Sequence, residues 1–387
     1  MLSRIQNSIT LTLVALYGVE LLDELIYGLV GAVLPSLKND LTLSYTQVGL
    51  LLTVPALIAL AGEPFIGLLG DTRHRRTLVV AGCAATGLGL VLTGVAQTFG
   101  WVLLAFTILY IASGAYVNLA QATLIDRNPE RAEQTMARWT LFGSIGVSTA
   151  PVVVTAALAL GYGWRGLYLA LAVVAGFYTL LLLRPRFDLH TNADAEAVSL
   201  LQMARDLWAA LGQRELLRWL ILTELADLML DKLLEVTGLY FHDVVGVSLA
   251  EASAAVALLT GAGLVGNMFI VPLLEKVRGT RVLRVTALLV LGFYIAFLLA
   301  PFVWLRLVLI GAIGFCTSGW FAILQGKTYA TRPGQSGMIV AAGSLANVLK
   351  LFVPVVIGSM ADMFGLQWAM WILVLGPLAL LLGLPKE

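Results

Sequence analysis

The chain has 387 residues, 59% of them hydrophobic and only 12% charged, and its mean hydropathy is +0.92. Soluble domains carry about 25% charged residues, so this composition argues against a soluble enzyme, a nucleic-acid-binding protein and a disordered chain. A formal net charge of +1 gives no global field that would attract an acidic partner.

Apolar runs long enough to cross a bilayer, about 20 residues each, recur twelve times. They lie near 9–34, 46–69, 77–95, 101–125, 138–160, 165–183, 216–241, 250–274, 281–300, 304–329, 337–361 and 367–384. The first is longer than a signal-peptide core and holds Glu20, Asp23 and Glu24, so it reads as a retained span rather than a leader. Strict alternation of polar and apolar residues is absent, which excludes a β-barrel. Most joints are short. The exception is 184–215, where Val198, Leu201, Leu207 and Leu211 fall at helical spacing and predict a helix lying on the membrane surface. The expected fold is all-α: a six-helix bundle over 1–183, a linker over 184–215 and a second six-helix bundle over 216–387. Cys83 and Cys316 each lie inside an apolar run, without disulfide or zinc-site spacing, and read as packing residues.

Lysine and arginine set the orientation. If the N-terminal side is inside, the inside segments hold 19 of the 24 basic residues. Only Lys38, Arg165 and Arg306 lie outside, and Lys232 and Lys350 lie within spans. Both termini and the linker are therefore expected in the cytoplasm, and the expected home is a bacterial inner membrane.

The two halves match under a shift of 204 residues. Glu20, Leu21 and Asp23 fall on Glu224, Leu225 and Asp227; Ser44 and Gln47 fall on Ser248 and Glu251; Gln121, Pro129 and Trp164 fall on Gln325, Pro333 and Trp368. Such a parallel repeat belongs to one transporter class, whose substrate site lies near mid-bilayer.

Between the second and third spans the chain reads Gly67-Leu68-Leu69-Gly70-Asp71-Thr72-Arg73-His74-Arg75-Arg76. This resembles the signature loop of the major facilitator superfamily, G-x-L-x-D-R-x-G-R-[RK]. Gly67, Leu69, Asp71, Arg75 and Arg76 match, whereas Thr72 replaces an Arg and His74 a Gly. The resemblance implies two six-helix bundles that rock about a central site. It also implies a cytoplasmic gate formed by Gly67, Asp71, Arg75 and Arg76, with Asp126 as a further member. A fainter likeness to an antiporter motif in the fifth span, G-x-x-x-G-P, rests on Gly146, Ala150 and Pro151. Those small residues are equally suited to close helix packing.

Charged residues within a membrane are costly and mark function. At 100° per residue, Glu20, Asp23, Glu24 and Tyr27 fall near about 0°, 300°, 40° and 340°, one face of span 1. On span 7, Glu224, Asp227, Asp231 and Glu235 fall near about 0°, 300°, 340° and 20°, with Lys232 at the edge of that face. Seven acids and one lysine cannot all be ionised and unpaired in a poorly hydrated space. They must hold protons, bind cations or pair with Lys232 and other donors. Glu63 in span 2 is either a proton site or a partner of the signature-loop arginines. Asn118, Gln121 and Gln325 are mid-span amides able to bond a substrate, with Tyr27 beside the acids. Lys350 is a lone charge in span 11.

Gly161 to Gly166 fits G-x-G-x-x-G but follows no strand, and the chain holds no P-loop, G-x-S-x-G, H-E-x-x-H or Cys/His cluster. The expected activity is therefore transport, not enzymatic catalysis. The leading expectation is a monomeric, proton-coupled multidrug-type antiporter that exports a cationic or amphipathic small molecule, driven by the proton gradient without a cofactor and without a nucleic-acid partner. The alternatives are a divalent-metal transporter using Glu20, Asp23, Glu224 and Asp227 as ligands, and a proton-coupled sugar or lipid carrier.

Overall fold

The ends of the helices repeat as closely as the sequence does. In a computed structural model of the chain, α1 spans Leu2–Asp40, α2 Tyr45–Gly70, α3 Arg75–Val95, α4 Phe99–Arg127, α5 Ala132–Ala159 and α6 Trp164–Leu182. The second half holds α7 (Arg214–Ala226), α8 (Leu233–Leu239), α9 (Leu249–Leu274), α10 (Gly279–Leu299), α11 (Val303–Thr317), α12 (Trp320–Ala330), α13 (Val353–Phe364), α14 (Leu366–Ala369) and α15 (Leu375–Gly383). The structure describes residues 2–70, 74–127, 132–184, 212–274, 276–331, 342–343, 346–348 and 350–385. Asp71 and the surface helix expected in the linker lie outside them. The chain divides into two compact units, Met1–Ala193 and Asp194–Glu387.

Among the described residues there is no strand, and ten helices are long and apolar enough to cross a membrane. The first and seventh expected spans are missing from those ten, and they are the two that carry the acidic stripes. Large apolar side chains such as Val173, Phe177 and Leu180 on α6 stand exposed, which suits a lipid-facing surface.

A shift of 204 carries α2 onto α9, α3 onto α10 and the start of α4 onto the start of α11. The same chemistry starts the matching helices. Ser44 N–H donates to Gln47 Oε1 at 3.0 Å and Gln47 N–H to Ser44 Oγ at 3.1 Å. In the other half Ser248 N–H donates to Glu251 Oε2 at 2.9 Å and Glu251 N–H to Ser248 Oγ at 3.3 Å. Both are reciprocal capping boxes that satisfy otherwise orphaned N–H groups. Just before each box the chain turns through a left-handed residue, Thr42 at φ 50° and Gly246 at φ 81°. The repeat fails at Trp164 and Trp368, since the first is buried and the second is 63% exposed.

A β-branched residue in the left-handed region is strained by roughly 1–2 kcal/mol, whereas glycine is not. Thr42→Gly is therefore expected to stabilise the N-terminal unit by up to about 1 kcal/mol after the extra chain entropy of glycine is offset. Thermal unfolding in detergent checks this, and a lower melting temperature than wild type would contradict it.

In the N-terminal unit α1 packs chiefly on α5 and also touches α4 and α6, while α3 lies between α4 and α6. At one end of the unit, Arg165 ties three connections together. It pairs with Asp40, donates to the Ala96 carbonyl at 2.9 Å and lies 4.4 Å over the Trp164 ring. At the opposite ends, Arg76 of α3 donates to the Leu183 carbonyl just past α6 at 2.5 Å. Arg284 of α10 does the same to the Pro385 carbonyl past α15 at 2.6 Å. Each arginine sits where a helix leaves its last carbonyls unpaired and its dipole negative.

Candidate functional site

In the N-terminal unit the acids of α1 divide between two neighbouring helices. Asp23 faces α4, where the Tyr116 hydroxyl donates to Oδ1 at 2.9 Å and the Ser113 hydroxyl to Oδ2 at 3.1 Å. Ser113 and Tyr116 are three residues apart, so one face of α4 presents both donors to one carboxylate. Glu20 faces α5 and is buried, with the Trp139 side chain as a hydrogen-bond partner. A Cβ added at Gly143 would come within 2.7 Å of Glu20 Oε1, and one at Gly146 within 2.5 Å of the Leu21 carbonyl oxygen. From the other side, a Cβ at Gly28 would meet the Val147 carbonyl oxygen at 2.6 Å. The small residues of span 5 thus let α5 close onto α1 and seat Glu20 and Glu24 against it. Among the described residues no lysine or arginine pairs with Glu20 or Asp23.

Glu63 lies on α2 with its Cγ 3.8 Å from where a Gly114 Cβ would stand, next along α4 from Ser113. Tyr27 and Gln121 are half-buried and Asn118 is exposed. Asp71 of the expected gate lies outside the described residues. Gly67 and Asp126 lie in α2 and α4 with side chains outside the description, Arg75 is buried at the start of α3, and Arg76 is engaged with α6.

The C-terminal unit departs from a uniform helix where its acids lie. After α7 a π turn spans Leu228–Lys232, and a second spans Tyr240–Val245 after α8. The Lys232 N–H donates to the Asp227 carbonyl at 3.2 Å, an i→i−5 bond. A π turn inserts one residue, so positions beyond it are set back by about 100° relative to an unbroken helix. The angular positions expected for Asp231, Lys232 and Glu235 are corrected accordingly. Such insertions frequently accompany functional sites.

The pairing in this unit is ionic. Lys232 Nζ lies 2.5 Å from Glu235 Oε1, and both side chains are at least nine-tenths buried. Lys350 Nζ lies 3.5 Å from Asp227 Oδ1 and also faces Asp231 and Glu224. Leu216 and Leu220 pack with Ala342 and Ala346, and Lys350 follows Ala346 by four residues. Asp231 lies close enough to Asp227 for the two carboxylates to repel one another. Among the described residues no hydrogen-bond donor meets the buried oxygens Glu224 Oε2, Asp227 Oδ2 and Glu235 Oε2. Gln325 is half-buried on α12. His242 fastens a turn through Nδ1 and the Val247 carbonyl at 2.9 Å.

The duplicated pair Asp23 and Asp227 is thus held differently, one by hydroxyls and the other by a lysine. Sequence reasoning missed Ser113, Tyr116 and Trp139, and gave Lys350 no partner. Among the described residues no three His, Cys, Asp or Glu side chains gather where they could hold a metal ion.

The sequence profile described as Major Facilitator Superfamily matches residues 16–349. No curated protein matches the chain. Solved structures with similar folds include a bacterial homologue of the human lysosomal transporter Spinster, inward-facing and occupied, with a TM-score of 0.77 at 15% identity, covering 95% of this chain and 94% of that one. The nucleoside transporter NupG is similar with a TM-score of 0.73 at 13% identity, covering 96% and 97% of the two chains.

Proposed function

The chain belongs to the major facilitator superfamily and is a multi-pass membrane transporter of small molecules rather than an enzyme; from that premise we propose that it is a proton-coupled antiporter exporting a cationic or amphipathic compound by alternating access. The observation that carries this reading is the state of Glu20 and Asp23. Both carboxyls lie near the middle of α1, with hydroxyl and indole partners and no basic partner among the described residues. An isolated buried carboxylate costs several kcal/mol, so each holds a proton or receives a cation. Proton and cation then exclude one another, which is the logic of antiport. The proton gradient is the only further requirement, no cofactor is needed, and the protein works as a monomer with both termini in the cytoplasm of a bacterial cell.

The divalent-metal alternative receives no support, since among the described residues no three His, Cys, Asp or Glu side chains close round a point. A nucleoside, the cargo named for one similar structure, would leave the acids with proton coupling alone.

The test uses purified protein in liposomes that hold a pH-reporting dye and an imposed proton gradient. Organic cations are expected to release protons across the membrane in a protein-dependent manner. A response confined to divalent metals or to uncharged nucleosides would overturn the reading.

A further inference from the structure

We propose that Asp227 is a cation subsite of the C-terminal unit, that its ligand is a primary ammonium group, and that Lys350 is a tethered occupant which this ligand displaces. The proposal rests on the reading of the cargo as cationic and adds its chemical class.

The two lysines of this unit do different jobs. Lys232 and Glu235 stand three residues apart on one helical stretch, at 2.5 Å, with side chains 10% and 6% exposed. That pair is short, local and closed. Lys350 comes from a different segment, stands 3.5 Å from Asp227 and keeps 24% of its side chain exposed. It is longer, non-local and open on one side, the geometry of a pair that can be exchanged.

The acceptors around Lys350 outnumber what one loosely held ammonium satisfies. Among the described residues Asp227 Oδ2 and Glu224 Oε2 are buried without a donor, and so is Asn347 Oδ1, three residues before Lys350 in the chain. Asp227 itself is more than nine-tenths buried. An unfilled buried acceptor is unfavourable, so a ligand that brings N–H donors to these oxygens improves on Lys350. A primary ammonium carries three such donors. A quaternary ammonium carries none and leaves the acceptors as they are, so the subsite discriminates between them by hydrogen bonding, beyond charge.

The exchange is also balanced in charge. Asp231 and Glu224 face Lys350 from the same helical run as Asp227, and Lys232 repels it. When an ammonium takes Asp227, the Lys350 ammonium swings toward Asp231, Glu224 or its exposed side. The number of cations among these acids rises by one, which the four carboxyls of the cluster accommodate.

Hexylammonium and tetraethylammonium binding to purified protein, measured by calorimetry, tests the proposal. Lys350→Gln removes the tethered competitor. Hexylammonium is expected to bind this variant at least about tenfold more tightly than wild type, with tetraethylammonium unchanged, and the gain should vanish in Lys350→Gln/Asp227→Asn. Unchanged or weaker hexylammonium binding by folded Lys350→Gln would overturn the subsite. Should Lys350→Gln fail to fold, Lys350→Arg decides the matter. Its guanidinium can grip Asp227 with two N–H donors, so hexylammonium binding should weaken, and no change would refute the proposal. Proton movement driven by organic cations in wild-type liposomes separates the two readings. If it persists while the Lys350 variants leave hexylammonium binding untouched, the subsite fails and antiport stands. If no cation moves protons while the Lys350→Gln gain is seen, antiport fails and the subsite stands.

Discussion

Asp23→Asn is expected to reduce cation-driven proton movement in liposomes by about a hundredfold or more, the scale on which a positioned proton-transfer group contributes, while the protein still folds. Asparagine keeps the size of the side chain and one carbonyl acceptor. The hydroxyl facing its amide nitrogen, whether of Tyr116 or of Ser113, can turn and accept instead of donate. The folded state therefore tolerates the change, and what is lost is the ability to take up and release a proton. Tyr116→Phe removes one of the two donors and should give a smaller loss, about tenfold, since a hydrogen bond to a charged group contributes about 1.5–3 kcal/mol. Undiminished proton movement in Asp23→Asn would place the coupling elsewhere. Asp227→Asn should behave differently, because it removes the ion-pair partner of Lys350 and leaves that ammonium to Asp231 and Glu224.

The second large effect is on folding. Gly146→Leu should leave no folded, monodisperse protein, and Gly146→Ala should lower the melting temperature by several degrees. A Cβ at this position meets a backbone oxygen, that of Leu21, at 2.5 Å. A backbone atom cannot rotate aside, so α1 and α5 must separate along their contact. Overpacking of this kind costs about 1–3 kcal/mol for small additions. Gly143→Ala is the instructive companion. There the obstacle at 2.7 Å is the carboxylate oxygen of Glu20, which can move. That variant should stay folded but transport poorly. Gly176→Ala on α6, with nothing within 4 Å of the added methyl, serves as the neutral reference. Melting curves on the four purified variants check the ranking, and an unaffected Gly146→Leu would mean that α1 and α5 do not pack as described.

The features legible in the sequence are those with local or periodic causes. Hydropathy located ten of the twelve expected spans, and the 204-residue shift reappears in helix starts that agree to the residue at Tyr45 and Leu249 and at Arg75 and Gly279. It also foretold the matching Ser44/Gln47 and Ser248/Glu251 positions, although not that they would form capping boxes. Glu20, Asp23, Glu224 and Asp227 stood out because a charge in mid-membrane is expensive wherever it occurs. What pairs with each acid was hidden, because partners such as Tyr116 and Lys350 lie some ninety or more residues away and are brought close only by helix packing. Two hints were available. Ser113 and Tyr116 put hydroxyls on one face of an apolar span, and Lys350 was an intramembrane cation in need of an acid. The π turn at Leu228–Lys232 left no such trace. Lys232 and Glu235 stand three residues apart, a spacing that brings side chains together on any helix, so that pair could have been read from the sequence.

The different company kept by Asp23 and Asp227 has an electrical consequence. A unit charge carried through a membrane potential of 100 mV gains or loses about 2.3 kcal/mol. In the C-terminal unit the Lys232–Glu235 and Lys350–Asp227 pairs act on the field mainly as dipoles, and it cancels over most of their length. Glu20 and Asp23 have hydroxyl and indole company instead, so each ionisation there is a net charge standing in the field. Two halves built on one repeated plan thus differ as circuit elements: an ionised Glu20 or Asp23 would meet the field as a bare charge, whereas the two ion pairs of the second half meet it as dipoles.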